Sequence, residues 1–132
     1  MILVDTSILI GYFKGIKGSS YDKFDTIIDT HIPFGINNHI YQEILQGAKT
    51  EKEFEQLKEY LNTLVFYEFH DGKKSSEAAA LLYIKCRKNG VTVRSTIDLI
   101  IVQTAIEHDL YLLHNDNDYI NIAKVIKELK LY

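Results

Sequence analysis

The chain has one cysteine, one proline, one methionine and no tryptophan among its 132 residues. A lone cysteine, Cys86, excludes a disulfide framework within the chain and any zinc site built on cysteines, and it suits a reducing cytoplasm. No apolar run approaches the roughly 20 residues needed to cross a bilayer. The opening segment, Met1 to Ile10, is short and lacks the basic flank of a secretion signal, so a cytoplasmic protein with no membrane association is expected. Excess positive charge is missing too. Fifteen Lys and Arg face eighteen Asp and Glu, for a net charge of -3, which counts against a nucleic-acid binder that works through a basic surface alone. Repeats, linkers and low-complexity segments are absent. With 46% hydrophobic residues, residues 1–132 have enough apolar material for a single domain with its own core.

Ile2, Leu3 and Val4 form an apolar run without polar alternation, the pattern of a strand covered on both faces. Asp5 follows, and then Thr6 and Ser7, either of which can cap a helix. The pattern puts Asp5 at the carboxyl end of a buried strand, the edge where open α/β sheets bind ligands. A carboxylate there is costly to bury unless it is paired or binds a metal. A first short helix continues through Leu9 to Phe13, and a second is predicted over Ser20–Thr30, with Tyr21, Phe24, Ile27 and Ile28 on one face. Ile32–Ile36 reads as a strand whose Pro33 belongs at its first position or at a sheet edge. Asn37 and Asn38 are good caps for a helix running from His39 to a stop at Gly47.

Thr50 and Glu53 form a capping-box pattern opening a helix predicted over Thr50–Leu64, with Phe54, Leu57, Leu61 and Leu64 as its apolar stripe. A third strand is expected over Leu64–Phe69, a turn at Asp71-Gly72, a helix over Ser75–Asn89, and a further helix over Ser95–His108. Leu110–Leu113 reads as a fourth strand, His114–Tyr119 turns into a last short helix, and Lys130–Tyr132 reads as a final edge strand. The alternation of strands and helices predicts a parallel sheet with helices on both faces.

Five carboxylates fall at element boundaries. Asp5 ends the first strand, Asp116 and Asp118 follow the fourth, and Asp98 and Glu43 sit near helix N-termini. In a parallel sheet those boundaries share one edge. Each acid has a plainer local role open to it: Asp98 as a capping partner of Ser95, Asp116 or Asn115 as the cap of the last helix, Glu43 as a solvated helix residue. Asp5 is the hardest to dismiss in this way. Carboxylates gathered this closely would hold protons unless an opposing charge were supplied. Magnesium or manganese supplies it, through oxygen ligands and retained waters. No histidine or cysteine set has zinc-site spacing. The chemistry suggested is metal-assisted hydrolysis of a phosphate ester.

At these residues the chain resembles the PIN-domain family, and within it the VapC-type toxin ribonucleases. The resemblance rests on Val-Asp-Thr-Ser-Ile-Leu at Val4–Leu9, Tyr-Gln-Glu-Ile-Leu at Tyr41–Leu45, Ser-Thr-Ile-Asp-Leu-Ile-Ile-Val at Ser95–Val102 and Leu-Leu-His-Asn-Asp-Asn-Asp-Tyr at Leu112–Tyr119, four motifs in the family's order. It implies a three-layer α/β/α sandwich around a central, mostly parallel sheet of four to five strands, and a Mg2+- or Mn2+-dependent endoribonuclease. Asp5 and Asp98 match the best-defined metal ligands and Glu43 the second acid. Asp116 and Asp118 both fit the position of the fourth, so the implied catalytic set is Asp5, Glu43, Asp98 and Asp116, with Asp118 a further candidate ligand. Thr6 or Ser7 matches a hydroxyl that can contact metal-bound water or phosphate. Tyr119 stands where phenylalanine is usual, and His114 where threonine is common. The resemblance also implies a homodimer held in check by a cognate antitoxin protein.

Between Lys73 and Arg94 six basic residues face one acid, Glu77. Lys73, Lys74 and Arg94 are candidates for holding RNA phosphates, against the plainer reading of a charged outer helix face. Other functions fit less well. A receiver-type signalling domain needs an acidic pair at the end of the first strand and a phosphoacceptor Asp after the central strand, whereas Asp5 stands alone and no clear acceptor follows Phe69. A haloacid-dehalogenase phosphatase needs an acid where Ser7 stands. A binding-only module of the same fold would have an incomplete acid set.

Overall fold

Short apolar strands alternate with helices along the whole chain, and a computed structural model describes residues 1–132. The elements run β1 (Ile2–Val4), α1 (Thr6–Phe13), α2 (Ser19–Asp29), β2 (Phe34–Ile36), α3 (Asn38–Gln46), α4 (Glu51–Leu61), β3 (Val65–Phe66), α5 (Gly72–Lys88), α6 (Thr96–Glu107), β4 (Tyr111–Leu113), α7 (Asn117–Val125) and β5 (Lys130–Leu131). All four strand pairings are parallel, in the order β3-β2-β1-β4-β5. The unalternating strand β1 is therefore the central one, and Ile2, Leu3 and Val4 are fully buried as their pattern requires. Pro33 lies just before β2, an internal strand, and accepts from the Ile2 amide through its carbonyl, so its missing N–H costs the ladder nothing.

Strand order sets the position of the site. The chain steps outward from β1 to β2 to β3, then crosses back to β4 on the other side of β1. Right-handed crossovers put helices made on the outward run on one face and those made on the return on the other. The packing agrees: α1 meets α2 and α3, and α3 meets α4, while α5 meets α6 and α7. The result is an α/β/α sandwich, and the order reverses between β1 and β4. A crevice opens at the carboxyl ends of those two strands.

Local chemistry explains where elements depart from the sequence reading. The α4 helix stops at Leu61, short of Leu64, because Asn62 at its C-cap donates Nδ2 to the Lys58 carbonyl and to the Tyr41 hydroxyl. Of its expected stripe, Leu61 is buried and Leu57 half-buried, but Phe54 is exposed. Asp71-Gly72 is a helix start rather than a free turn: Asp71 accepts from the Lys74 amide at 3.0 Å and α5 begins a turn earlier than Ser75. The third strand is only Val65–Phe66. Beyond it Tyr67 lies against Gly35, where a Cβ would collide with the Val65 carbonyl and press on the Tyr67 ring, so glycine is needed for close approach. No helix is long and apolar enough to cross a membrane.

Candidate active site

Asp5 leaves the sheet with extended backbone (φ -71°, ψ 156°), its amide donating to the Leu113 carbonyl at 2.9 Å. It caps α1: Oδ2 accepts from the Ser7 amide at 3.0 Å and from the Ser7 hydroxyl at 2.6 Å. Ser7 Oγ also accepts from the Asn115 amide at 3.0 Å, so one hydroxyl ties the end of β1 to the segment after β4. Asn115 Nδ2 in turn donates to the Tyr21 hydroxyl at 3.2 Å. Tyr21 can lie there because Gly11 lacks a Cβ, which would collide with its ring and hydroxyl. Thr6 is different: its buried Oγ1 has no hydrogen-bond partner, and the residue lines the crevice.

The other acids arrive from three elements. Asp98 stands in the first turn of α6, but Ser95 caps that helix through the Ile97 amide, which leaves the Asp98 carboxylate to the crevice. Asp116 caps α7 by accepting from the Asp118 amide at 2.9 Å and still lines the crevice. Glu43 reaches it from the middle of α3. Asp5, Glu43, Asp98 and Asp116 thus surround one cavity of about 310 Å³. Asp118 faces an adjoining cleft of about 430 Å³, with Arg94 from the α5–α6 loop and Asn121 and Lys124 from α7.

Two sequence-selected residues are not brought to this edge. Lys73 and Lys74 occupy the first turn of α5, whose 17 residues span about 25 Å at the usual helical rise. The helix packs along α6, and its far end, carrying Lys85, Arg87 and Lys88, leads through a short loop to Asp98. Its start lies at the opposite end of α6, where the His70 amide donates to Glu107 at 3.0 Å.

Two contributors escaped the sequence reading. Lys14, the C-cap of α1, is the one cationic side chain lining the acidic cavity. Its signal was helical spacing, since Thr6, Ile10 and Lys14 fall four residues apart on one face of α1. The hydroxyl of Tyr119 was also missed. It donates to Asp5 Oδ1 at 2.9 Å and lies 3.4 Å from Asp98 Oδ1.

The electrostatics are those of an under-neutralised acid cluster. Burial, then repulsion from Asp5, Asp116 and Asp118, pushes the Asp98 carboxyl up to about 6, against the opposing hydrogen bond from Tyr119. Burial, then the charges of Asp5, Asp98 and Asp116, push the Tyr119 phenol far up, so it stays a neutral donor. Burial pushes the His114 imidazole down, and its Nδ1 accepts from the Asp116 amide at 3.1 Å. No ion pair relieves the acids; the single salt bridge, Lys130–Asp109, is elsewhere.

The donors fit a hard divalent cation. They are carboxylate and hydroxyl oxygens, with no cysteine or free imidazole nitrogen among them, and Thr6 Oγ1 is a buried oxygen still without a partner. No three of the acidic, histidine or cysteine side chains converge into a ready cage. That suits a cation that keeps several waters and takes one or two carboxylates, rather than one enclosed by protein.

A parallel sheet whose order reverses at a carboxylate-lined crevice defines an α/β protein with its working edge between β1 and β4. The PIN domain family profile matches residues 2–125. The chain is 30% identical over 126 residues to VapC ribonuclease Mb1587 of Mycobacterium bovis and to ribonuclease VapC11 of Mycobacterium tuberculosis, covering 95% of this chain and 93% of each relative. Among solved structures it is similar to VapBC2 from Rickettsia felis, bound to a DNA fragment from their promoter. That match has a TM-score of 0.76 at 20% identity, over 100% of this chain and 98% of the other. It is similar also to FitAcB from Neisseria gonorrhoeae, with a TM-score of 0.71 at 14% identity over 100% and 96%. The chain belongs to the PIN-domain family.

Proposed function

We propose that this protein is an endoribonuclease of the VapC kind, the toxin of a toxin–antitoxin pair, hydrolysing RNA phosphodiesters with Mg2+ or Mn2+. The observation that carries the reading is the single cavity lined by Asp5, Glu43, Asp98 and Asp116 with no cation of its own beyond Lys14. The 30% identity to curated VapC ribonucleases along nearly the whole chain supports the substrate class. Asp5 and Asp98 would hold the metal, with Asp116, in preference to Asp118, as the further acid acting through the waters the cation retains. When bound, that metal supplies a polarised water and offsets charge on the phosphate.

The chain's own groups do the rest. Ser7 and Tyr119 orient Asp5 by hydrogen bonds to its two oxygens. The Glu43 carboxylate accepts the proton of the attacking water. Thr6, whose buried hydroxyl has no protein partner, adds an oxygen donor at the cavity wall, and Lys14 adds positive charge at its rim. Arg94 and Lys124, in the cleft alongside, hold flanking phosphates of the strand, a part that sequence position alone suggests for Arg94 with Lys73 and Lys74.

The same reading includes a homodimer and an antitoxin as protein partners. Exposed Phe13 at the end of α1 and Ile16 just beyond it, with Tyr60 stacked edge-on against Phe13 at 5.6 Å, give an apolar surface beside the cavity for the antitoxin. The test is RNA cleavage by purified protein with Mg2+ or Mn2+, beside Asp5→Asn and an EDTA control. Cutting that needs the metal and is lost in the variant is expected; equal cutting by both proteins overturns the reading.

A further inference from the structure

Tyr119 is the one side chain hydrogen-bonded to two acids of the cavity, and it is 1% exposed. Its phenol carries a single proton, given mainly to Asp5 Oδ1 at 2.9 Å, with Asp98 Oδ1 in reach at 3.4 Å. The two oxygens of Asp5 are not equally free. Oδ2 already accepts from the Ser7 amide and the Ser7 hydroxyl, at 3.0 and 2.6 Å. A carboxylate oxygen has two lone pairs to offer. Oδ2 is therefore full, and Oδ1, sharing one lone pair with Tyr119, retains one. Asp98 has no other protein donor on its side chain.

Resting on the reading of the cavity as a divalent-metal site, we propose that the Tyr119 hydroxyl is a positioning group for that metal. It anchors Asp5 Oδ1, keeps Asp98 within reach of the same proton, and would leave Asp5 its remaining Oδ1 lone pair for the metal. The hydroxyl is neutral and touches only the ligands, so it spaces two like charges without occupying the place of the cation. A lysine in the same position would neutralise the acids and compete with the metal; a phenylalanine, usual at this position in the family, would leave Asp5 Oδ1 and Asp98 without the one protein donor they share in this chain. Hydrogen bonds of this kind to metal ligands orient them and tune their basicity.

Tyr119→Phe keeps the buried ring and removes one oxygen. The test is calorimetric titration of metal-free protein with Mn2+, comparing wild type, Tyr119→Phe and Asp5→Asn, with thermal unfolding of each metal-free protein as the check on folding. Wild type is expected to bind one Mn2+, and Tyr119→Phe to bind it about tenfold more weakly or worse, the usual loss when an outer-shell partner is removed. Asp5→Asn is expected to lose binding. A folded Tyr119→Phe with wild-type Mn2+ affinity overturns the proposal and reduces the hydroxyl to a packing detail. Wild type that binds no Mn2+ overturns the metal reading itself, and the proposal with it. If Tyr119→Phe does not fold, 3-fluorotyrosine placed at position 119 alone reads the same hydrogen bond. Its 19F resonance should move with Mg2+ to a plateau, with half the shift at the midpoint of a calorimetric Mg2+ titration of the same protein, and a resonance indifferent to Mg2+ refutes the proposal.

Discussion

Replacing Asp98 with asparagine should make the metal-free protein more stable at neutral pH, although it removes a residue proposed to be essential. The folded carboxyl titrates at about 6, and burial is the first cause; in an unfolded chain it titrates near 3.9. The folded state therefore binds the proton more tightly than the unfolded state. The resulting penalty is absent below about pH 4, grows as pH rises between the two values, and is complete above about 6. A gap of about two pH units corresponds to about 3 kcal/mol at most. Asp98 is half-buried, and screening by solvent reduces that to about 1–2 kcal/mol. Asparagine has the same shape and can still accept from Tyr119. In EDTA at pH 7.5, Asp98→Asn should melt about 3–8 °C above wild type, and the advantage should shrink as pH falls through about 6 and vanish only below about 4. Adding Mg2+ should stabilise wild type and not the variant, closing or reversing the gap. A variant no more stable than wild type at pH 7.5 without metal, or one whose advantage persists unchanged into acid, would show that the Asp98 carboxyl carries no such penalty.

Two other perturbations separate neighbouring groups. Arg94→Ala with Lys124→Ala should weaken RNA binding and lower the slope of log affinity against log salt by about 0.7 for each single-strand phosphate no longer held. Lys73→Ala with Lys74→Ala, at the far end of α5, should leave both unchanged. Filter-binding across a salt series checks the pair, and an equal effect of the two double variants contradicts the placement. Gly11→Ala should destabilise the protein. The helix gains about 0.5–1 kcal/mol from losing a glycine, but the new methyl collides with Tyr21 and overpacking costs about 1–3 kcal/mol. Urea unfolding measures the balance, and a stabilised variant would show that Tyr21 moves away freely.

The legible parts of this chain were those whose chemistry is local. Ile2–Val4 is apolar without alternation, so a doubly covered strand could be read directly, and with it the place of Asp5 at the strand's end. Ser95, Asn37 and Thr50 cap the helices where a short polar side chain before an apolar stripe said they would. Strand order was not legible, because strands of two or three residues carry no register information of their own; it needs the right-handed crossovers. Lys73 and Lys74 were misleading because nearness in sequence to Arg94 was read as nearness in space, and a 17-residue helix intervenes. Phe54 satisfied the helical period of α4 but not its burial, since nothing packs over that turn closely enough to cover it. The bond from Tyr119 to Asp5 joins residues 114 apart, and no window along the chain reveals it.

That separation bears on the order in which the molecule comes into being. The strand β1 acquires β2 early, after about thirty residues of chain, but its other neighbour, β4, only with residues 111–113. Until then one long side of the central strand is open, and Asp5 has neither the Leu113 carbonyl for its amide nor the Tyr119 hydroxyl for its side chain. Closing so wide a loop is a slow event in folding. On the ribosome, the residues of α1–α4 emerge well before those of β4 and α7 that complete the acidic crevice. The acidic crevice, which needs β1 and β4 side by side and Tyr119 beyond them, is therefore among the last parts of the molecule to be completed.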